Sequence, residues 1–491
     1  MINTKALREK ILDLAMRGKL VPQDPTDEPA SVLLDKIKEE KEQLIKNKKI
    51  KKEKPLPKIS KEEIPYEIPD SWEWVRIGEI QLVKGGKRVP KGKQLVDYPT
   101  EKVYLRVADM KNGTINISNL RYATMDIYEA IKNYTISSSD LYLSIAGTIG
   151  NVGIIPTELN GSLLTENAVK IVNFSNLNSK FILYMLQAKV IQEQFNKLYN
   201  QVAQPKLSIR SINQTISLVP PIEEQQRIVA KIEELFALID TIESNQLEFK
   251  QLAEELDKKV LDLAMRGKLV PQDPTDEPAS VLLDKIKEEK VQLIKDKKIK
   301  KEKVLPEISK EEIPYEIPDS WEWVRLVDIG SIFSGGTPKT TINEFWEKGT
   351  IPWITPAIMG KSKSKIFNSV ALKHITEQGL NASSAQLIPG SSIVYSSRAP
   401  IGHINIVPYP YSTNQGCKSV TPIKVDVGYL YYCLVFRTPD IKKRASGTTF
   451  KEISGKGFSM TVVSIPPLAE QKRIVAKIEM IREIIQRIDF E

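Results

Sequence analysis

Residues 220–267 read PPIEEQQRIVAKIEELFALIDTIESNQLEFKQLAEELDKKVLDLAMRG, and this stretch decides the fold. After Pro220-Pro221 it runs with neither Gly nor Pro until Gly267. Apolar residues recur at Ile228, Ile232, Leu235, Ile239 and Ile242 and, after a polar gap, at Leu256, Val260 and Leu263. Alternating steps of four and three mark a helix with one narrow apolar seam. Proline near the start and glycine just past the end sit where a helix tolerates them. At about 1.5 Å per residue the rod would be on the order of 65 Å long. A rod with so narrow a seam needs a partner, and the two ends of the chain supply one.

Ile474, Ile478, Ile481, Ile485 and Ile488 repeat Ile228 to Ile242 at a constant offset of 246. Leu7, Ile11 and Leu14 repeat Leu256, Val260 and Leu263 at an offset of 249. The second rod is therefore split between the termini, and the simplest arrangement is an antiparallel pair with a pseudo-twofold axis. Residues 11–76 and 260–325 differ at only five of 66 positions: Ile11/Val260, Glu42/Val291, Asn47/Asp296, Pro55/Val304 and Lys58/Glu307. So close a match is a duplication, and repeats set the architecture.

The fold class read from this pattern is α+β. Two α/β domains are joined by long antiparallel coiled-coil helices in a pseudo-twofold internal repeat. The segments are an N-terminal helical part with its connector (1–76), a first variable domain (77–219) and the long helix with a second helix and connector (220–325). A second variable domain (326–463) and a C-terminal seam helix (464–491) complete the chain. The first variable domain carries β-rich runs at Val103–Val107, Leu141–Ile145 and Val169–Val172 and a helix over Ser179–Tyr199. The second has runs at Ile351–Ile354, Ser392–Tyr395 and Lys418–Pro422 and a helix near Val427–Arg437. Landmarks align between them: Lys84-Gly85-Gly86-Lys87-Arg88 with Ser334-Gly335-Gly336-Thr337-Pro338, Ile145–Gly150 with Ser397–Gly402, Asn167 with Asn414, and Leu207-Ser208 with Ile453-Ser454.

No run approaches 18 apolar residues, so no membrane span is expected. The N-terminus lacks a secretory pattern and reads as an amphipathic helix. Cys417 and Cys433 form no CxxC, and His374 and His403 lack a ligand pattern, so neither a disulfide framework nor a metal site is expected. A reducing cytoplasm suits this composition. The net charge of +9 is unevenly placed: residues 77–219 hold 16 Lys/Arg against 10 Asp/Glu, and residues 326–463 hold 15 against 7. The basic excess thus lies in the two variable domains, as a polyanion-binding surface requires.

The paired PPIEEQQRIVAKIEEL at 220–235 and PPLAEQKRIVAKIEMI at 466–481 resemble the specificity subunit of type I restriction–modification enzymes. So do the AMRGKLVPQ stretches at 15–23 and 264–272, IPDSWEWVRIGEI at 68–80 and DSWEWVRLVDIGSIFSGGTP at 319–338. The resemblance covers essentially the whole chain. It implies two target-recognition domains, each reading half of a split site in double-stranded DNA. It also implies helices that set the spacing and dock two methyltransferase (modification) subunits, through which restriction subunits join. The chain itself would be noncatalytic and hold no cofactor; S-adenosylmethionine, ATP and Mg would belong to the partners.

Inspection for catalytic motifs agrees with that reading. GxxxxGK[ST] is missing, since Thr355 stands five before Gly360 in Gly360-Lys361-Ser362, and no GxGxxG follows a strand. Base reading would fall to loops. The first domain offers Lys84, Lys87, Arg88, Lys91, Lys93, Thr148, Gln204 and Lys206. The second offers Thr337, Lys339, Lys361, Lys363, Lys365, Arg398, Thr448, Thr449 and Lys451. Arg or Lys donates to guanine, Gln pairs with adenine, and Ser or Thr meets phosphate or base. Glu224, Gln225 and Arg227, with Glu470, Gln471 and Arg473, open the two rods. They either dock the methyltransferase or simply complement the helix dipole. The tryptophans read as core. Two other classes stay open: a self-sufficient DNA methyltransferase or nuclease with an unrecognised active site, and a coiled-coil adaptor without a DNA role.

Overall fold

The computed structural model describes residues 2–52, 54–174, 177–200, 206–299, 305–362, 364–368, 372–447 and 451–490, without the side chains of 199–200 and 488–490. Gln204, Lys363, Thr448 and Thr449 lie outside the described residues. The chain divides into two compact units, Ile2–Leu247 and Glu248–Glu491. The long helix spans Ile222–Met265, and the division falls inside it.

The helical segments expected at 1–76, 220–325 and 464–491 are not separate domains, because each shares a core with its variable domain. In the first unit Leu12, Met16, Leu33, Ile37 and Trp72 pack in one cluster with Phe181, Phe195, Ile228 and Ile232. In the second, Val260, Met265, Leu282, Ile286 and Trp321 pack with Tyr429, Leu434, Ile474 and Ile478. Burying these faces together is the main stabilising term, at about 25 cal/mol per Å² of apolar surface.

Within the first unit the Thr4–Met16 helix runs antiparallel to the start of the long helix. Arg8 meets Asp240 at 2.6 Å and lies 4.9 Å over the Phe236 ring, while further along Gln23 donates to Glu224 at 2.6 Å. Within the second unit the Leu468–Phe490 helix runs antiparallel to the end of the long helix, with Arg482 on Asp257 at 2.6 Å, and Gln272 donates to Glu470 at 2.6 Å. Ile228, Ile232, Ile239, Ile474 and Ile478 are buried as the seam requires. Leu7 and Leu256 are exposed, and Leu12 and Leu261 are buried where the seam pointed to Leu14 and Leu263. The reason is a second neighbour: the Thr4–Met16 helix also packs on the Ser179–Gln187 and Lys189–Asn200 helices, which turns its buried face.

Among the described residues each variable domain holds two larger sheets; two-stranded pairings join Glu73–Arg76 to Ile216–Val219 and Glu322–Arg325 to Val462–Ile465, and Met110-Lys111 pairs with Thr114-Ile115. In the first unit Gln81–Gly85, Ala168–Asn173, Leu141–Ser144 and Val152–Ile154 form an antiparallel sheet in that order. In the second, Gly330–Ser334, Cys417–Pro422, Ser392–Ser396 and Ile404–Val407 repeat the order. The other larger sheet of each domain contains one parallel pair: Leu163-Leu164 beside Tyr104-Leu105, and Ser412-Thr413 beside Trp353-Ile354. The helix expected over Ser179–Tyr199 breaks at Ala188, which adopts extended backbone, and the one from Val427 continues through Pro439 to Arg444. Trp72, Trp321 and Trp353 are buried.

Both cysteines are free and buried. Burial pushes each thiol up to about 12. Among the described residues no helix is long and apolar enough to cross a membrane.

Candidate nucleic-acid interface

Four loops converge at one end of the strands of each antiparallel sheet, and backbone hydrogen bonds fix their meeting. In the first unit Gly86 N–H donates to the Ala168 carbonyl at 3.1 Å and Lys87 N–H to Leu164 at 2.8 Å. Ile145 N–H donates to Asn167 at 2.8 Å, and Leu207 N–H to Ile145 at 2.9 Å. In the second unit Gly335 N–H donates to Cys417 at 3.4 Å and Gly336 N–H to Thr413 at 2.9 Å. Ser397 N–H donates to Gly416 at 2.8 Å, and Ile453 N–H to Ser397 at 3.1 Å. The tight turn is duplicated as well: Asn151 N–H donates to Ser144 Oγ at 3.0 Å, and His403 N–H to Ser396 Oγ at 2.7 Å.

This shared bonding corrects two of the expected alignments. Gly86, not Gly85, occupies the place of Gly335. A Cβ on Gly86 would lie 2.1 Å from the Thr165 carbonyl oxygen, and one on Gly335 would lie 1.8 Å from that of Asn414. A side chain is impossible at either point, because the loops touch backbone to backbone. It follows that Thr165 matches Asn414, Glu166 matches Gln415, and Asn167 matches Gly416. Arg88 matches Thr337. The pairings of Ile145 with Ser397 and of Leu207 with Ile453 stand as expected, which puts Ala146 at the place of Arg398 and Lys206 at that of Glu452.

The side chains at these shared places differ. In the first unit Arg88 Nε lies 3.7 Å from Glu166 Oε1, and Lys206 donates to the Glu166 carbonyl at 3.1 Å. In the second, Thr337 hydrogen-bonds Gln415 at the matching places. There the ion pair has moved to the neighbouring places, with Arg398 3.5 Å from Glu452 and Lys418 3.5 Å from the same carboxylate.

Of the expected DNA-facing residues, the confluence in the first unit gathers Lys84, Lys87, Arg88, Thr148 and Lys206, all exposed. Lys93 is tied to Asp126 at 2.7 Å, away from the loop contacts, and Lys91 lies exposed in the same excursion. In the second unit Thr337, Arg398 and Lys451 belong to the confluence, and Lys339 follows in the glycine loop. Lys365 does not: its ammonium pairs with Glu479 and sits 4.7 Å over the Tyr432 ring, against the C-terminal helix. Lys361 follows Gly360, the C-cap of the short Pro356–Met359 helix, and is exposed. Glu166, Gln415, Lys418 and Glu452 were not anticipated, because a search for cationic loops passes over carboxylates and strand residues.

The expected docking residues need the clearest correction. Glu224, Gln225, Glu470 and Gln471 are at most 1% exposed and serve the chain's own fold. Glu224 accepts from the Trp72 indole at 2.8 Å, and Glu470 from Trp321 at 3.0 Å. Gln225 accepts from Asn178 N–H at 3.1 Å, and Gln471 from Asp426 N–H at 2.9 Å. Arg227 and Arg473 clamp Asp27 and Asp276, each at 2.6 Å. Burial raises both glutamates above the ordinary carboxylate range, partly offset by the indole and amide donors.

One backbone frame built twice, with unlike polar linings, defines a two-domain recognition protein. The model of the type I restriction modification DNA specificity domain matches residues 69–250 and again 318–488, so the chain belongs to that family. It is a type I specificity subunit and noncatalytic. The EcoAI specificity subunit of Escherichia coli is 29% identical over 98% of this chain and 89% of its own length. The EcoEI specificity subunit of Escherichia coli is 34% identical over 69% and 65%. The HsdS subunit from Thermoanaerobacter tengcongensis shares the fold, with a TM-score of 0.54 at 19% identity over 86% of this chain and 92% of that one.

Proposed function

We propose that each unit reads one half of a split, asymmetric site in double-stranded DNA. The observation that carries this reading is the four-loop confluence, repeated in backbone and changed in side chains. Phosphate contacts position a reader and base contacts give it sequence, so two readers of unlike half-sites need a common frame with different polar groups. The long helix and the antiparallel helices along it act as a coiled-coil strut that sets the spacing, since half-site separation is a geometric quantity. The two near-identical helical segments dock two modification subunits, through which restriction subunits join. Methyl transfer and DNA translocation, with S-adenosylmethionine, ATP and Mg, belong to those partners in the cytoplasm.

The test is methylation by the purified chain together with its modification subunit. The complex should modify one bipartite motif and bind it with steep salt dependence. Transfer of label from S-adenosylmethionine by this chain alone, or site-independent binding by the complex, would overturn the reading.

A further inference from the structure

We propose that Arg398 is the specificity-determining side chain of the second confluence, and that Glu452, pinned by the buried Lys418, positions it. The proposal rests on the DNA-reading function above and names the group that does the reading.

Lys418 is the unusual residue. It lies on the Cys417–Pro422 strand with its side chain only 7% exposed. Its register against Tyr395 and Ser334 gives it the place that Val169 holds in the first unit, opposite Leu143 and Gly85. The fold therefore accepts an apolar residue there, and a buried ammonium costs free energy unless it is paired. Two groups meet it: the Gln415 carbonyl at 3.2 Å and Glu452 Oε1 at 3.5 Å. The cation that the sheet does not require thus holds one oxygen of Glu452. Ser397 Oγ donates to the same oxygen at 3.5 Å.

The other oxygen, Oε2, lies 3.5 Å from Arg398 Nη1. Arg398 is also held by its backbone, which forms an antiparallel bridge with Glu452. Its side chain stays 37% exposed. A guanidinium anchored at one edge keeps its remaining donors in a fixed fork, and that fork matches the O6 and N7 acceptors of guanine. Among the described residues Lys339 and Lys451 make no ion pair, and a lysine's compact charge suits phosphate better.

The first unit supports the assignment by contrast. Ala146 stands at the place of Arg398, Lys206 at that of Glu452 and Val169 at that of Lys418, so the whole relay is missing together. Its arginine–glutamate pair occurs instead at Arg88 and Glu166. Three residues that change together across a shared backbone point to one task, and a different half-site is what changes between the units.

The experiment is motif mapping by sequencing of DNA methylated by the full chain with its modification subunit, for wild type, R398A, R398K, E452Q and K418V. R398A and R398K should lose discrimination at one G·C pair of one half-site by about 5- to 150-fold, leaving the other half-site and the spacing intact. E452Q and K418V keep Arg398 yet should relax the same base pair to a smaller extent. K418V installs the residue that the sister unit already uses, so it guards against a folding defect. An unchanged motif in R398A would overturn the assignment alone. So would weakening at every sequence with a salt slope lowered by about one, the mark of a phosphate contact. A wild-type complex without a bipartite motif would overturn the function proposed above as well.

Discussion

The indole N–H of Trp72 donates to the Glu224 carboxylate at 2.8 Å, across 152 residues of sequence. Trp321 and Glu470 repeat the contact at 3.0 Å in the second unit. Each bond ties the end of a connector to the first turn of a seam helix, inside the core. A buried carboxylate with an indole and an amide donor is a structural joint, and this joint is what orients the variable domain on its helix.

Glu224 and Glu470 hold their protons more readily in the folded chain than in the unfolded one, chiefly through burial. Their contribution to stability is complete below the ordinary carboxylate range and is lost as pH rises through the elevated folded value. Glu224→Gln keeps an acceptor for Trp72 and removes the ionised form. Thermal melts from pH 4 to pH 8 should show the variant gaining on wild type as pH rises. Trp72→Phe should cost about 1–3 kcal/mol, because it leaves Glu224 Oε2 without its indole donor while Gln23 still serves Oε1.

Gly85 and Gly86 adjoin each other but carry different constraints. A Cβ on Gly85 would meet only the flexible Ile209 Cδ1 at 3.5 Å, whereas one on Gly86 would strike the Thr165 carbonyl oxygen at 2.1 Å. Gly85→Ala should therefore leave DNA binding near wild type. Gly86→Ala should open the first confluence and abolish recognition of one half-site. Binding assays on half-site variants, with circular dichroism as a folding control, separate the two.

Arg76 is 4% exposed and donates to the carbonyls of Pro57 and Gln214, each at 2.6 Å, while pairing with Glu63 at 3.0 Å. Arg325 repeats the clamp on Glu312 and the carbonyls of Pro306 and Met460. Arg76→Ala should destabilise the chain by about 1–3 kcal/mol, since the Pro57 and Gln214 carbonyls and the Glu63 carboxylate lose one shared, buried donor at once. Urea unfolding of the full chain measures it.

Lys87 lies 5.5 Å over the Tyr134 ring on an exposed loop, a setting for phosphate attraction rather than base discrimination. Lys87→Ala should lower affinity for all sequences alike. The slope of log K against log salt should fall by about 0.9 for each phosphate contact removed.

The helices and strands were legible because their signals are local. Ile228 and Ile232 follow helical spacing, and the Leu141–Ser144 and Ser392–Ser396 strands are short buried runs. The seam's second neighbour was not legible: nothing in the order of Leu12 and Leu14 tells that the Lys189–Asn200 helix lies alongside. The glycine pairs misaligned by one because Gly-Gly matches Gly-Gly by identity, whereas only the loop contact shows that Gly86 is the constrained one. Glu224 and Gln225 looked like a helix opening because Trp72, Gln23 and Asn178, which surround them, are remote in sequence. The site was read as cations because charge is visible in composition. The carboxylates that hold those cations become visible only when the loops of one unit, remote in sequence, are seen to meet.

Cys417 and Cys433 both belong to Glu248–Glu491, packed among Met359, Met265 and the Ser464 carbonyl, and the first unit has no cysteine. Nature has thus placed an alkylation reporter in one half of a near-symmetric chain. Iodoacetamide labelling, slow while those sulfurs stay sealed, should register the breathing of the C-terminal half without any signal from its twin.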